Sequence, residues 1–446
     1  MRGLAWLVLM MGCAKQVPVQ PMTTPSDITE ARLNAMVREL VPLVEKASGL
    51  EFIEVPFVRL GRLTDLERIV QGEAGGSFDV MYPDAPEWMR DAFIRDMGGE
   101  GIAGKYAIEQ RILLVSPESM ARTASLVEGD PNALDSVTRL VLVHEMTHAL
   151  QDQHSDLAAR FDGPAHLDAY QALRGTTEGH ANFVEARVAA ELGLEETARA
   201  LNDSQGWTDA GPDGAWSFGI WAAYGQGKNF VQWHADQGGL PRTIEVLKDP
   251  PSRTRTLFAP DEYAREVAPD PADEALLEGL EQTLQDARWF TSSGPVVEME
   301  LREQLYGVPG PELEATLAAV RGGAMRSAVR SDRSANFVYL RFDDADQAIT
   351  AMELLDRFSD SIAEQLSPSP AITALIQTDA VDELGDDARS VDVAMTSDGE
   401  RSIGVSSESH ALWVRRGAHV VVVQARGFRP GERLKQAAQR ALERLQ

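Results

Sequence analysis

The stretch VLVHEMTHALQDQH, from Val141 to His154, decides how this chain is read. His144 and His148 stand four residues apart, so on a helix both imidazoles project from one face, a turn apart. Leu140 to Val143 precede them as an apolar run, and Met146, Thr147 and Ala149 are uncharged. The helix therefore reads as buried, with Glu145 carried in beside the histidines. Burying ionisable groups without a partner is costly, and a bound cation supplies the partner. The pattern predicts one Zn²⁺ held by neutral imidazoles, with Glu145 kept off the metal as general base for its water.

Two residues compete for the third ligand position. His154 has the spacing of a metzincin ligand, but Gln151 stands where that pattern needs a helix-ending glycine. Without the break, His154 points about 240° round the helix from His148. Glu178, in TTEGHANF (Thr176 to Phe183), lies 30 residues after His148, near the start of a helix expected to be capped by Thr176 or Thr177. An antiparallel helix pair can bring it to the histidines, and two His plus one Glu is a catalytic zinc set. His180 follows Glu178 by two residues and projects elsewhere, while Asn182 and Asp152 are placed to orient ligands.

The residues His144, Glu145, His148 and Glu178 resemble the gluzincin branch of zinc metallopeptidases. More narrowly, HEMTHALQDQHSDL, the later EGHA, and the surroundings of Tyr224, Gly238, Gly239, Pro250, Pro251 and Tyr263 are similar to bacterial exported metallopeptidase-like lipoproteins, from about residue 98 onward. The resemblance implies a zinc-dependent peptidase fold and an edge strand near Tyr106 to Val115 that pairs with an extended peptide. A peptidase of this type also has a Tyr or His that stabilises the oxyanion, and Tyr224 and His234 are the candidates.

The N-terminus bears on compartment. MRGLAWLVLMMGC has the basic start and short apolar run of a signal peptide, too short to span a membrane. The lone cysteine, Cys13, follows a small residue as in a lipobox, although Met10 replaces the usual leucine. Cys13 is thus expected to be lipidated, 14–26 to be a Pro-rich tether, and the chain to be exported and anchored, with the outer membrane favoured because Ala14 is not aspartate. A net charge of -27 over 446 residues repels phosphate backbones and excludes nucleic acid as a partner.

The expected fold is α+β: a mainly helical zincin-like catalytic core with a small strand region, plus a C-terminal α+β module. Boundaries are placed at 1–13 (signal peptide and lipobox), 14–26 (tether), 27–97 (N-terminal α/β region), 98–300 (core) and 301–446 (module). The expected function is zinc-dependent hydrolysis of peptide bonds in a peptide or protein substrate outside the cytoplasm. The alternative is a catalytically inactive lipoprotein of the same fold that serves binding or envelope assembly.

Overall fold

Thr29 opens the first helix. Its side chain accepts the Arg32 N–H at 3.2 Å and caps α1 (Glu30–Ser48). The structure, a computed structural model, describes residues 28–96, 102–127, 132–204, 207–208, 211–212, 215–284, 289–305, 310–330, 333–366, 372–397 and 407–445. Cys13, the tether, the caps expected at Ser26 or Asp27, and Asp130 and Pro131 before the motif helix lie outside the described residues. Leu33, Val37, Leu40 and Val44 form the buried stripe of α1, at the spacing of one helix face.

The described residues divide into two units, one of 28–80 with 91–266 and one of 81–90 with 267–445. The division falls at Glu266/Val267, where the sequence reading placed it at 300. Residues beyond Val267 join the second unit because strand Phe290–Pro295 pairs with Ala324–Val329 of that unit.

In the first unit, β1 (Phe57–Leu60), β2 (Gly104–Ala107) and β3 (Ile112–Val115) form one sheet with β3 in the middle, parallel to β1 and antiparallel to β2. A helix runs Leu63–Met81 through Gly72, Gly75 and Gly76. Buried Leu66, Ala74 and Phe78 recur on one face, and that packing outweighs the roughly 1 kcal/mol each interior glycine costs.

The motif lies on α2 (Ala133–Ser155), which ends where Asp156 turns left-handed at φ 52°. Its partner α3 (Leu167–Leu192) starts well before Thr176, at an N-cap supplied by His166. Thr176 does not cap anything, because its hydroxyl donates to the Ala172 carbonyl at 2.9 Å, inside the helix. Glu178 is therefore mid-helix, not near a start. After α3, a π-helical turn, Ala222–Gln226, feeds α4 (Gly227–Lys248), which kinks at Gly239, φ 69°. Helices α3 and α4 meet backbone to backbone at Gly175, Gly179 and Gly227: a Cβ on Gly179 would overlap the Gly227 backbone, and one on Gly227 the Gly175 carbonyl.

The second unit is a seven-stranded antiparallel sheet with helices. Its elements are β4 (Phe290–Pro295), α5 (Glu298–Gln304), α6 (Gly310–Ala319), β5 (Val320–Arg330), β6 (Arg333–Phe342), α7 (Ala345–Leu366), β7 (Ile372–Ala380), β8 (Asp387–Ser397), β9 (Ser407–Arg416), β10 (His419–Arg426) and α8 (Glu432–Glu443). Strand order is β4-β5-β6-β10-β9-β8-β7. Arg326, on β5, pairs at 2.8 Å with buried Glu281. The fold class, a helical region followed by an antiparallel sheet, is α+β as expected.

Candidate metal centre

Three atoms converge between α2 and α3. His144 Nε2 lies 3.1 Å from His148 Nε2 and 3.2 Å from Glu178 Oε2, and His148 Nε2 is 3.3 Å from the same oxygen. Three ligands held at about 2.0–2.1 Å by one tetrahedral ion stand about 3.3–3.4 Å apart, so the triangle has the size a metal needs. His148 and Glu178 are buried and His144 nearly so.

The outer nitrogens fix which tautomer each imidazole adopts. His144 Nδ1 is 3.2 Å from Glu185 Oε2, and a carboxylate only accepts, so that nitrogen carries the proton. His148 Nδ1 is 2.8 Å from Gln151 Oε1, whose amide nitrogen is committed as donor to the Thr177 carbonyl at 2.8 Å. Both Nε2 atoms then face each other and Glu178, an arrangement that a bound cation, or a proton between His144 and Glu178, would satisfy. The local field has the same sense. Burial works against a charged His144, yet hydrogen bonds to Glu178 and Glu185 and the charge of Glu145 push its pKa up to about 10. Burial likewise opposes charge on Glu178, but the histidines and Lys105 hold it well below the usual carboxylate range. The donor set fits a metal ion, and His144, His148 and Glu178 are the residues able to hold one.

Glu145 stays out of the triangle. Its Oε2 accepts the Tyr106 N–H of β2 at 2.6 Å, and the Tyr106 hydroxyl donates to Asp152 Oδ2 at 2.9 Å, two turns further along α2. One residue of β2 thus ties the strand across the helix at both ends. The edge strand is Gly104–Ala107, not the stretch to Val115, which is central. The Tyr106 N–H, on this edge strand, is spent on Glu145. Asp152 supports the strand, not a metal ligand.

Tyr224 and His234 part company. Tyr224, carried by the π-helical turn, lies against His144 with ring centroids 6.0 Å apart and hydrogen-bonds Arg174. Burial and the charge of Glu178 push its phenol pKa upward, keeping it a protonated donor. The extra residue of a π-turn re-aims side chains, and such turns recur at functional sites. Asn182 holds the turn by donating to the Tyr224 carbonyl at 3.3 Å. His234, ten residues on, is about 15 Å further along the axis. Its buried ring packs against Phe230, Trp233 and Tyr263, and neither nitrogen has a hydrogen-bond partner among the described residues. His234 is a packing residue and leaves the candidate set.

His154 bonds the Glu51 carbonyl at 2.8 Å, away from the centre. His180 is fully buried, its Nδ1 3.1 Å from Gln151 Nε2, and burial lowers its pKa to about 4. Four neighbours of the centre escaped the sequence reading: Gln151, Glu185, Arg174 and Lys105. Arg174, Glu178 and Glu185 share one face of α3 at helical spacing, and Gln151 is three residues past His148, so that signal was present. Lys105 carried no such signal. Its amine is 3.2 Å from Glu73, and the charges of Glu73, Glu178 and Glu145 outweigh burial to hold its pKa well above the ordinary lysine value.

No protein-family profile and no curated protein matches the chain. Among solved structures it is similar to one from Chloroflexus aurantiacus described as "a putative hydrolase with a novel fold", 16% identical with a TM-score of 0.39 over 60% of this chain and 99% of that one. It is also similar to the extracellular domain of PknH from Mycobacterium tuberculosis, 15% identical, TM-score 0.23, over 40% and 97% respectively. At that level of similarity, function rests on the geometry of the site itself.

Proposed function

We propose that this protein is a zinc-dependent metallopeptidase acting on a peptide or protein substrate outside the cytoplasm. The observation that carries the proposal is the convergence of His144, His148 and Glu178, each histidine fixed by its own acceptor, with Glu145 held beside the triangle by a backbone N–H. Zinc bound there would supply Lewis-acid polarisation. Glu145 takes the proton of the attacking water and passes it to the leaving nitrogen. Tyr224 donates to the oxyanion that develops on the substrate carbonyl, and Arg174, by engaging the phenol oxygen, orients that donor. Zinc is favoured over harder ions because two imidazoles and one carboxylate, with room for a further ligand, are its catalytic set. The extracytoplasmic half of the proposal rests on the signal-like start and Cys13, the proposed lipidation site that would tether the protein to the outer membrane.

The test is metal analysis paired with a peptide-library cleavage assay on wild type and Glu145→Gln. The variant should keep one equivalent of zinc and lose activity by on the order of 10² to 10⁴. Undiminished hydrolysis in Glu145→Gln would refute the assignment, and zinc without turnover in the wild type would favour the inactive binding protein. Tyr224→Phe should also retain zinc while its rate falls on the order of 10² to 10³. For the anchor, Cys13→Ser should release the protein from the membrane fraction; a wild type found soluble in the cytoplasm would overturn that half.

A further inference from the structure

The seven-stranded sheet is covered on both faces, and the two coverings differ. On one face Phe337, Tyr339, Leu412, Val414, Val421 and Val423 pack against α8, whose Ala437, Ala438 and Ala441 let the helix settle close to the strands. On the other face the alternate residues, among them Val338, Leu340, Trp413 and Val422, lie beneath helices α5–α7. Branched valines below and long leucines above do not close there, and a cavity of about 110 Å³ remains, walled by Leu301, Leu317 and Leu354 on the helix side.

One polar group on that wall stands apart. Thr316 of α6 is 6% exposed and its hydroxyl has no hydrogen-bond partner among the described residues. A threonine inside a helix ordinarily donates to the carbonyl four residues back, as Thr176 does in α3. An unpaired buried hydroxyl is costly. The other two polar residues on the wall satisfy each other, Gln424 donating to Ser409 at 3.2 Å.

We propose that this cavity is a binding site for a small, uncharged, apolar molecule carrying one hydrogen-bond acceptor, such as a short-chain ketone or aldehyde, which the Thr316 hydroxyl engages. Charge is excluded because, among the described residues, no charged side chain lines the cavity, so a carboxylate or ammonium would be buried without a counter-ion. Size follows from volume. A dry apolar cavity of roughly 150 Å³ accepts benzene with its six heavy atoms, so one of about 110 Å³ takes about four or five. The site belongs to the sheet unit and does not depend on the peptidase reading.

Calorimetric titration of the full-length protein with 2-butanone tests the proposal, with propanoate as the charged control. Saturable binding of the ketone, and at least tenfold weaker binding of propanoate, is expected. Ala351→Phe, which fills the cavity, should abolish binding; Ala351→Leu, a gentler filling, decides the matter if the first variant does not fold. Thr316→Val should weaken 2-butanone about two- to tenfold, the worth of one hydrogen bond, and leave xenon binding unchanged. Absence of saturable binding to the wild type, equal affinity for propanoate, or unchanged binding in the folded filling variants would each overturn it.

Discussion

In the metal-centre unit, helices α2 and α3 are buried nearly all round and carry polar side chains into the interior: Thr147, His148, Gln151, Thr176, Thr177, Glu178 and His180 are each at most 8% exposed. In the sheet unit, strands such as β6 and β10 alternate faces, and the helix α8 buries one stripe of Leu434, Ala437, Ala438, Ala441 and Leu442 while its other residues face outward. The first arrangement gives the groups at the centre specific partners, although Thr177 Oγ1 and His180 Nε2 have none among the described residues, so a lost partner there is felt as chemistry. The second gains stability from apolar area, so a lost side chain is felt as a cavity. Stability and function should therefore respond to different substitutions in the two units.

The largest effect that would break this contrast is expected from Phe337→Ala, which empties a fully buried position in the sheet. It should cost about 3–5 kcal/mol, read from urea denaturation, while zinc affinity stays at the wild-type value. A matching loss of zinc would mean that the two units do not behave separately.

Next comes pH. Burial, aided by Arg242, lowers the pKa of His234 to about 4, against 6.5 for an ordinary histidine. Between those values the unfolded chain binds the proton and the folded one does not, so stability falls as pH drops from 6.5 towards 4. The loss from this residue is about 3 kcal/mol, and His234→Phe should flatten that part of the stability–pH profile. An unchanged profile would show that the ring finds a partner when charged.

Gln151→Leu sharpens the contrast from the other side. It removes the acceptor of His148 Nδ1 and the donor to Thr177, and zinc affinity should fall about 10- to 100-fold, measured by competition with a chelator. Full affinity in this variant would strip Gln151 of its orienting role. The smallest effect is expected from Lys46→Met, which breaks the exposed pair with Glu191, 69% and 41% exposed. It should change stability by no more than about 1 kcal/mol and leave zinc untouched.

Much of the site was legible before any coordinates. A four-residue spacing fixes two imidazoles to one helix face whatever the surroundings, and the missing glycine at Gln151 was enough to turn His154 away. Glu178 was reachable because helix pairing is the cheapest way to bring a carboxylate to that face. His234 was misread because a histidine in a plausible stretch looks the same whether it faces a metal or an aromatic cluster; only its neighbours distinguish the two. The start of α3 was misplaced because Thr176 and Thr177 resemble caps until the Ala172 carbonyl is seen to take the hydroxyl of the first.

By itself the sequence determined the α+β class, the motif helix and the shared face of His144 and His148, because periodicity along a chain segment is enough to read each of these. Tertiary structure decided the rest. Tyr106 reaches Glu145 from 39 residues away, Lys105 joins the centre from the same strand, and Tyr224 is aimed by a π-turn that Gly179 and Gly227 allow to pack close. The cavity beneath α5–α7 belongs to this class too, because a void is the sum of shapes from several elements and no single segment encodes it.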